Sequence, residues 1–363
     1  MSCTIVIPTV GRPSLARLLA ALDRPADVLV VDDRRDRSAE LGVPGWVTVL
    51  PGPARGPAAA RNLGWQTAES EWVAFLDDDV VPEPGWLDHL AEDLAAAPEE
   101  VGGVQGRLIV PLPPDRRPTD WERVTAGLAT GEWITADMAY RRVALARAGG
   151  FDERLPRAFR EDAELAFRVR RGGWSLRRGR RRVTHPVRPE GPWVSVRTQR
   201  GNADDALLRR LYGPRWRALL DVPEGRRPRH AVIAAAGLAA LACGAAALAT
   251  SRRGRTGWAA VVPGRRGRTG GATGHRGWVG AAGLAAAGWA AGTAEFAAAR
   301  IAPGPRDPRE VATMLATSVV IPPLAVAHWL RGWWRWRAAR PIMVITAGGE
   351  RSAGDRARAE AGR

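Results

Sequence analysis

The sequence predicts an α/β protein, a sheet of strands alternating with helices, followed by a separate helical region. Three observations lead there. Short β-rich apolar runs alternate with helical stretches through the first quarter of the chain. Polar groups collect where those runs end. After residue 225 the composition changes, with 33 arginines against 32 acidic residues before that point and 21 against six after it.

The 363 residues are enough for one large domain with extra material, or for two domains. Contents of 45% hydrophobic and 25% charged residues are those of a globular protein. The net charge of +16 is carried entirely by arginine, for the chain has no lysine. Its concentration in the second part points to an anionic surface, either nucleic acid or membrane. Cys3 and Cys243 form neither a metal-spacing motif nor a disulfide framework, which fits a reducing compartment. The chain opens on a strand-like run, with no charged leader region or cleavage site, so a secretory signal is not expected.

In chain order, residues 3–9 form a β-rich run stopped by Pro8, and a helix follows over 14–22 with Ser14 as a possible N-cap. Val28-Leu29-Val30-Val31 is a buried strand ending in Asp32-Asp33. Val47-Thr48-Val49-Leu50 is a third, and a Pro/Gly loop over 51–57 leads to a helix over 58–68. Trp72-Val73-Ala74-Phe75-Leu76 is a fourth strand and runs into Asp77-Asp78-Asp79. Three like charges at a buried strand end repel one another and resist desolvation, so a cation should neutralise them. A hard divalent ion holding a substrate phosphate is the natural candidate, although the triplet alone reads equally well as an acidic loop. Ligands of such sheets bind beyond the carboxyl ends of the strands. Pro8-Thr9, Asp32-Asp33 and Asp77-Asp78-Asp79 all lie at that kind of end.

Ile5-Val6-Ile7-Pro8-Thr9, Val30-Val31-Asp32-Asp33, Ala59-Ala60-Arg61-Asn62-Leu63-Gly64 and Phe75-Leu76-Asp77-Asp78-Asp79 occur in the order and spacing of family 2 glycosyltransferases. Gly149-Gly150-Phe151-Asp152-Glu153, Arg160-Glu161-Asp162-Ala163-Glu164-Leu165 and Arg171-Gly172-Gly173-Trp174 resemble the acceptor half of the same family. The resemblance covers roughly residues 2–190 and implies a GT-A fold, Rossmann-like, that uses a nucleotide-diphosphate sugar with Mg²⁺ or Mn²⁺. It implies that Pro8 and Thr9 line the nucleotide pocket, that Asp33 bonds the base and that Arg61 lies near base and phosphates. Asp77 and Asp79 would form the DxD element, with Asp79 as the main metal ligand and Asp78 near the ribose, while Asp32 shapes the turn. Asp162 would be the catalytic base. Trp133, Asp137 and Glu161 fall on the acceptor side, with Asp137 standing where the family has a small or amide residue. His185 sits where some relatives place a further metal ligand.

The chemistry is consistent with those roles. Cleaving a sugar–diphosphate bond leaves an anionic group that a divalent ion stabilises. The attacking hydroxyl must lose a proton, so a carboxylate has to face the departing phosphate. Asp162 opens a helical run, where the helix dipole favours a carboxylate, although Glu161-Asp162 is also an ordinary first-turn signal.

Residues 111–118 read as a Pro/Arg-rich loop and 195–211 as one amphipathic helix. Beyond the break at Arg226-Arg227-Pro228-Arg229, three stretches are candidate membrane segments: 231–250, 278–299 and 311–330, the last interrupted by Pro322-Pro323. Tryptophans interleaved with arginine over 329–337 suit a membrane interface better than nucleic acid, given the apolar runs before them. Residues 251–277, with seven arginines and no acid, read as a low-complexity loop.

These readings divide the chain into a catalytic domain over 1–220, a helical membrane region over 221–340 and a disordered tail over 341–363. They describe an inverting, metal-dependent glycosyltransferase at the cytoplasmic face of a bacterial membrane. Its partners would be a nucleotide-sugar donor, a glycan or lipid-linked acceptor and the membrane, with no nucleic acid. The alternatives are a nucleotidyltransferase, for which the glycine-rich, lysine-containing phosphate loop is missing, and a non-catalytic membrane scaffold.

Overall fold

The structure, a computed structural model, describes residues 2–24, 26–256 and 270–342. Strand β1 (Cys3–Thr9) leads through helix α1 (Ser14–Ala21) to β2 (Val28–Asp32) and β3 (Thr48–Pro51). Helix α2 (Pro57–Thr67) precedes β4 (Trp72–Leu76) and the short β5 (Val81–Pro82). Then come α3 (Trp86–Ala95), β6 (Val101–Ile109), α4 (Asp120–Ala126), β7 (Asp137–Arg141) and α5 (Arg142–Ala148). Helix α6 (Glu161–Arg171) and β8 (Ser175–Thr184) complete the sheet region. Helices α7 (Val194–Arg197), α8 (Asn202–Tyr212) and α9 (Trp216–Leu219) lead to three long ones, α10 (Arg227–Thr256), α11 (Gly270–Ile301) and α12 (Pro308–Arg335).

The eight strands form one sheet in the order β3-β2-β1-β4-β7-β6-β8-β5. Strands β3, β2, β1 and β4 are parallel, and β7 runs against both β4 and β6. Parallel register aligns Thr9 with Asp32, which puts the carboxyl ends of β1, β2 and β4 on one edge. Every residue of β2 and β4 is buried, as expected for strands covered on both faces. Successive side chains serve opposite layers. Ile5, Ile7, Val30, Trp72 and Ala74 pack with Leu18, Trp86 and Leu90 of α1 and α3. Val6, Val31, Val73 and Phe75 pack with Ala60, Leu145, Leu165 and Val169 of α2, α5 and α6. The result is a GT-A-like α/β domain.

The long helices are docked on it. Arg300, 8% exposed, donates to Thr317 Oγ1 (2.7 Å) and Ser318 Oγ (3.1 Å) within the helical region. Its other nitrogen donates to Asp120 Oδ2 (2.7 Å) and Ser195 Oγ (3.0 Å) across the junction. Arg210 on α8 stacks over the Trp333 ring at 3.6 Å and donates to its carbonyl. Helices α10 and α11 run antiparallel: Arg226 pairs with Glu295, Gly292 approaches Ile233, Gly237 approaches Trp289, and Thr250 meets His275.

Several expectations change. Pro13, not Ser14, precedes α1, and no side chain caps it. The single helix expected over 195–211 is broken into α7, a 3₁₀ turn (Thr198–Gly201) and α8. The break falls at Gly201, a weak helix former whose backbone lies against the Phe159 ring. Among the described residues two helices are long and apolar enough to cross a membrane, Arg227–Arg252 and Pro308–Arg335. The stretch 278–299 is helical within α11 but, diluted by Ala and Gly and carrying Glu295, is not among them. Helix α12 continues through Pro322-Pro323. The loop expected over 251–277 is helical at both ends, since α10 reaches Thr256 and α11 starts at Gly270, while 257–269 lie outside the described residues. Of the expected tail, 343–363 lie outside them too.

Helix α2 can reach the sheet only because of one residue. A Cβ on Gly64 would lie 2.3 Å from Val6 Cγ1, inside the core. Gly64→Ala is expected to overpack this contact and cost about 1–3 kcal/mol, read as a lowered thermal midpoint. An unchanged midpoint would show that α2 has slack against β1.

Candidate active site

The aligned strand ends open into a cavity of about 780 Å³, within the ordinary size of ligand sites. Pro8, Thr9, Asp33, Arg61, Asp77, Asp78 and Asp79 line one side, and Glu161, Asp162, His185 and Arg188 also line it. Of the residues singled out in the sequence, Asp32, Trp133 and Asp137 are not on this wall.

Each carboxylate of the triplet has its own cation. Asp77 Oδ1 receives Arg61 Nη2 at 2.6 Å. Asp78, 1% exposed, accepts from Thr9 Oγ1 (2.6 Å) and Arg12 Nη1 (2.5 Å). Asp79 lies 3.2 Å from Arg188 Nε and 3.6 Å from His185 Nε2. Burial and neighbouring Asp77 raise the Asp79 pKa above the usual carboxylate range, against the pull of His185 and Arg188. The charge problem posed by the sequence is thus met in part by arginines from distant segments.

Asp33 has one free oxygen. Oδ2 accepts from Gly56 N at 2.8 Å, whereas Oδ1 is buried without a hydrogen-bond partner. An orphaned buried acceptor is costly, and here it lines the cavity, where a donor on a ligand would satisfy it. Asp32 turns away and grips Arg34 through three hydrogen bonds, shaping the turn.

Arg61, 1% exposed, joins the two sides, for its Nη1 donates to Glu161 Oε1 at 2.8 Å. Burial acts to lower the Arg61 pKa, but Asp77 and Glu161 more than offset it, so the net shift is upward. Glu161 also accepts from Phe159 N at 2.6 Å, so both its oxygens are engaged. Burial and adjacent Asp162 push Glu161 up to about 7, against the opposing Arg61. Asp162 Oδ1 accepts from its neighbour Ala163 N at 2.7 Å. Its pKa is also raised, by burial, against that hydrogen bond and Arg61. Arg160, just before the pair, adopts a left-handed backbone (φ 76°), a strained choice for a non-glycine residue.

Asp137 and Trp133 are corrected. Asp137 is fully buried at the start of β7, bonded to Arg181 Nε (2.7 Å) and Trp86 Nε1 (3.0 Å). Strand alternation turns it into the α3 layer, so it pins the core and meets no acceptor. Trp133 packs against the opposite core layer and its half-buried ring is not part of the cavity wall. Conversely Arg12, Arg160, Arg188, Arg217, Arg226, Arg227 and His230 line the cavity without having been singled out for it. Arg160 gave a signal in the sequence as the first residue of the acceptor-side motif, and Arg226 and Arg227 as part of the basic run at the composition break.

The donor set fits a divalent ion. With a proton on Nδ1 facing Pro186 O (3.3 Å), His185 turns the Nε2 lone pair towards Asp79. An imidazole lone pair and a carboxylate so placed are both acceptors and call for a cation between them. Among the described residues no three His, Cys, Asp or Glu side chains converge as a cage.

The family model described as Glycosyl transferase family 2 matches residues 4–134. Over 198 residues the chain is 32% identical to a protein of Mycobacterium tuberculosis named pre-mycofactocin glycosyltransferase, an alignment covering 48% of this chain and 40% of that one. The chain thus spans about two-fifths of the length of the curated relatives it matches. Among solved structures, a mannosyltransferase from Pyrobaculum calidifontis with GDP-Man and Mn²⁺ overlaps with a TM-score of 0.47 at 17% identity, covering 92% of this chain and 87% of that one. Glucosyl-3-phosphoglycerate synthase from Mycobacterium tuberculosis, with Mn²⁺, UDP and phosphoglyceric acid, gives 0.40 at 14% identity, covering 62% and 80%. What the family comparison supports for this chain is a match to the glycosyl transferase family 2 model over residues 4–134, about a third of its length.

Proposed function

We propose that this protein transfers a sugar, with inversion, from a nucleotide-diphosphate donor to an acceptor hydroxyl or lipid phosphate at the cytoplasmic face of a bacterial membrane. One observation carries the reading: a single cavity has the strand-edge residues Thr9, Asp33, Asp77 and Asp79 on one wall and Asp162 at the start of α6 on another. In this reading residues 1–220 do the chemistry, and 221–340 hold it at the membrane.

Asp33 Oδ1 takes a hydrogen bond from the base, with Pro8 and Thr9 lining the nucleotide. Asp79 and His185, aided by Asp77, would hold Mg²⁺ or Mn²⁺, and the ion would supply Lewis-acid stabilisation of the departing diphosphate. With Asp79 committed to the ion, Arg188 would be left to hold phosphate oxygens, a role suited to a forked guanidinium. Asp162 receives the proton of the attacking hydroxyl. Arg61 and Glu161 fix Asp162 relative to the donor edge, so Glu161 acts as a positioning residue.

Titrating UDP, GDP, CDP and TDP into the full chain in detergent, with and without Mn²⁺, tests the donor site. One nucleotide is expected to bind in a metal-dependent way, and Asp79→Ala is expected to weaken that binding by about tenfold or more. Affinity indifferent to EDTA would remove the metal from Asp79.

Asp162→Asn is expected to lower kcat by roughly 10²- to 10⁴-fold with nucleotide affinity retained. The base must be ionised and its pKa is raised, so wild-type kcat should climb with pH through a range above that of an ordinary carboxylate. A pH-independent kcat in the wild type, or full activity in the variant, would exclude Asp162 as the base.

A further inference from the structure

The cavity extends past the acceptor-side helix. Beyond Asp162 its wall is made by Arg160, Arg217, Arg226, Arg227 and His230, the last three around the start of α10. Cations outnumber their partners there. Asp205 is shared, with Arg160 Nε 3.5 Å from Oδ1 and Arg217 bound to Oδ2. Arg226 pairs with Glu295 at 2.6 Å, but its buried Nε has no hydrogen-bond partner. Arg227 makes no hydrogen bond or ion pair among the described residues, and its guanidinium rests 4.5 Å from the Trp329 ring centroid. Glu224, exposed on the rim, pairs with none of them among the described residues. His230 is only 7% exposed, yet its Nδ1 also lacks a partner.

Guanidinium forks match phosphate oxygens, and buried polar atoms left unpaired cost free energy that a ligand would restore. A wall with four guanidiniums around one shared carboxylate, Asp205, and with Arg227 free of hydrogen bonds and close ion pairs among the described residues, suits a doubly charged group better than a single carboxylate. We infer that this wall is a subsite for a phosphate group carried by the acceptor, with Arg227 as its principal contact. The inference rests on the transferase reading above and adds to it the chemical class of the acceptor.

Two sources could supply the group. A lipid phosphate fits the surroundings, because α10 leaves the wall with Val232, Leu238 and Leu241 about 70% exposed along an apolar helix. A water-soluble phosphate ester would present the same oxygens.

The full chain in detergent, with its donor site saturated by the nucleotide that binds there, would be titrated with farnesyl phosphate, farnesol and inorganic phosphate. Farnesyl phosphate is expected to bind at least about tenfold more tightly than farnesol, the scale of a few charge-assisted hydrogen bonds. Arg227→Gln should lose about that factor for phosphate probes only, and Arg227→Lys should regain part of it. Inorganic phosphate binding as well as farnesyl phosphate would support the subsite and point to a soluble ester, and much weaker binding would support it and point to a lipid. Farnesol binding as tightly as its phosphate, or phosphate affinity unchanged in Arg227→Gln, would overturn the inference. Nucleotide affinity measured on the same samples separates the two readings: if it is present while phosphate discrimination fails, only the subsite falls. If no nucleotide binds, the transferase reading itself falls.

Discussion

One buried guanidinium holds the active-site arrangement together. Arg61 is almost wholly enclosed and is bonded to Asp77 on the strand edge and to Glu161 at the start of α6. Removing one partner of such a buried pair leaves an uncompensated charge, typically at a cost of 3–5 kcal/mol. The two walls of the cavity therefore cannot drift apart independently. The position of Arg61 depends in turn on α2 lying tight against β1, which the bare backbone of Gly64 permits. Backbone contact, buried ion pair and cavity shape form one dependent series.

The sequence was most informative where chemistry and local pattern coincide. Short apolar strands ending in polar residues gave the sheet and its ligand edge, because a strand buried on both faces leaves little choice of residue. Thr9, Asp33, Asp77 and Asp79 could be read there without knowing any tertiary contact. Asp137 misled because it was placed by the family segment it resembles, and position in such a segment does not report which way the side chain faces. Here alternation sends it to Arg181, which comes from a strand more than forty residues away. The cations that neutralise Asp77, Asp78 and Asp79 were for the most part hidden. Arg61 was marked by the resembling motif, but Arg12 and Arg188 come from two other segments, and in a chain whose only basic side chain is arginine neither stands out.

The helical region was legible as helix and as apolar, but not as part of the cavity. A basic run before a long apolar stretch is ordinarily a topology signal. The fold gives Arg226 and Arg227 a second location, on the wall that continues from Asp162. Composition could report their number, while only the return of the chain to α8 and α6 could report their neighbours. Arg300 and Arg210 anchor that return through contacts to Asp120, Ser195 and Trp333.

The seam between α10 and α11 has a consequence for the medium in which these helices reside. Gly237, Gly288 and Gly292 bring the two backbones close, with Ile233 and Trp289 filling the spaces. Attraction across such a seam comes from short-range contact between small residues, which does not require water to be expelled. Its strength therefore changes little between an aqueous and a lipid surrounding. The outward faces of the helices can adapt to either solvent while the spacing that carries Arg226 and Glu295 stays the same.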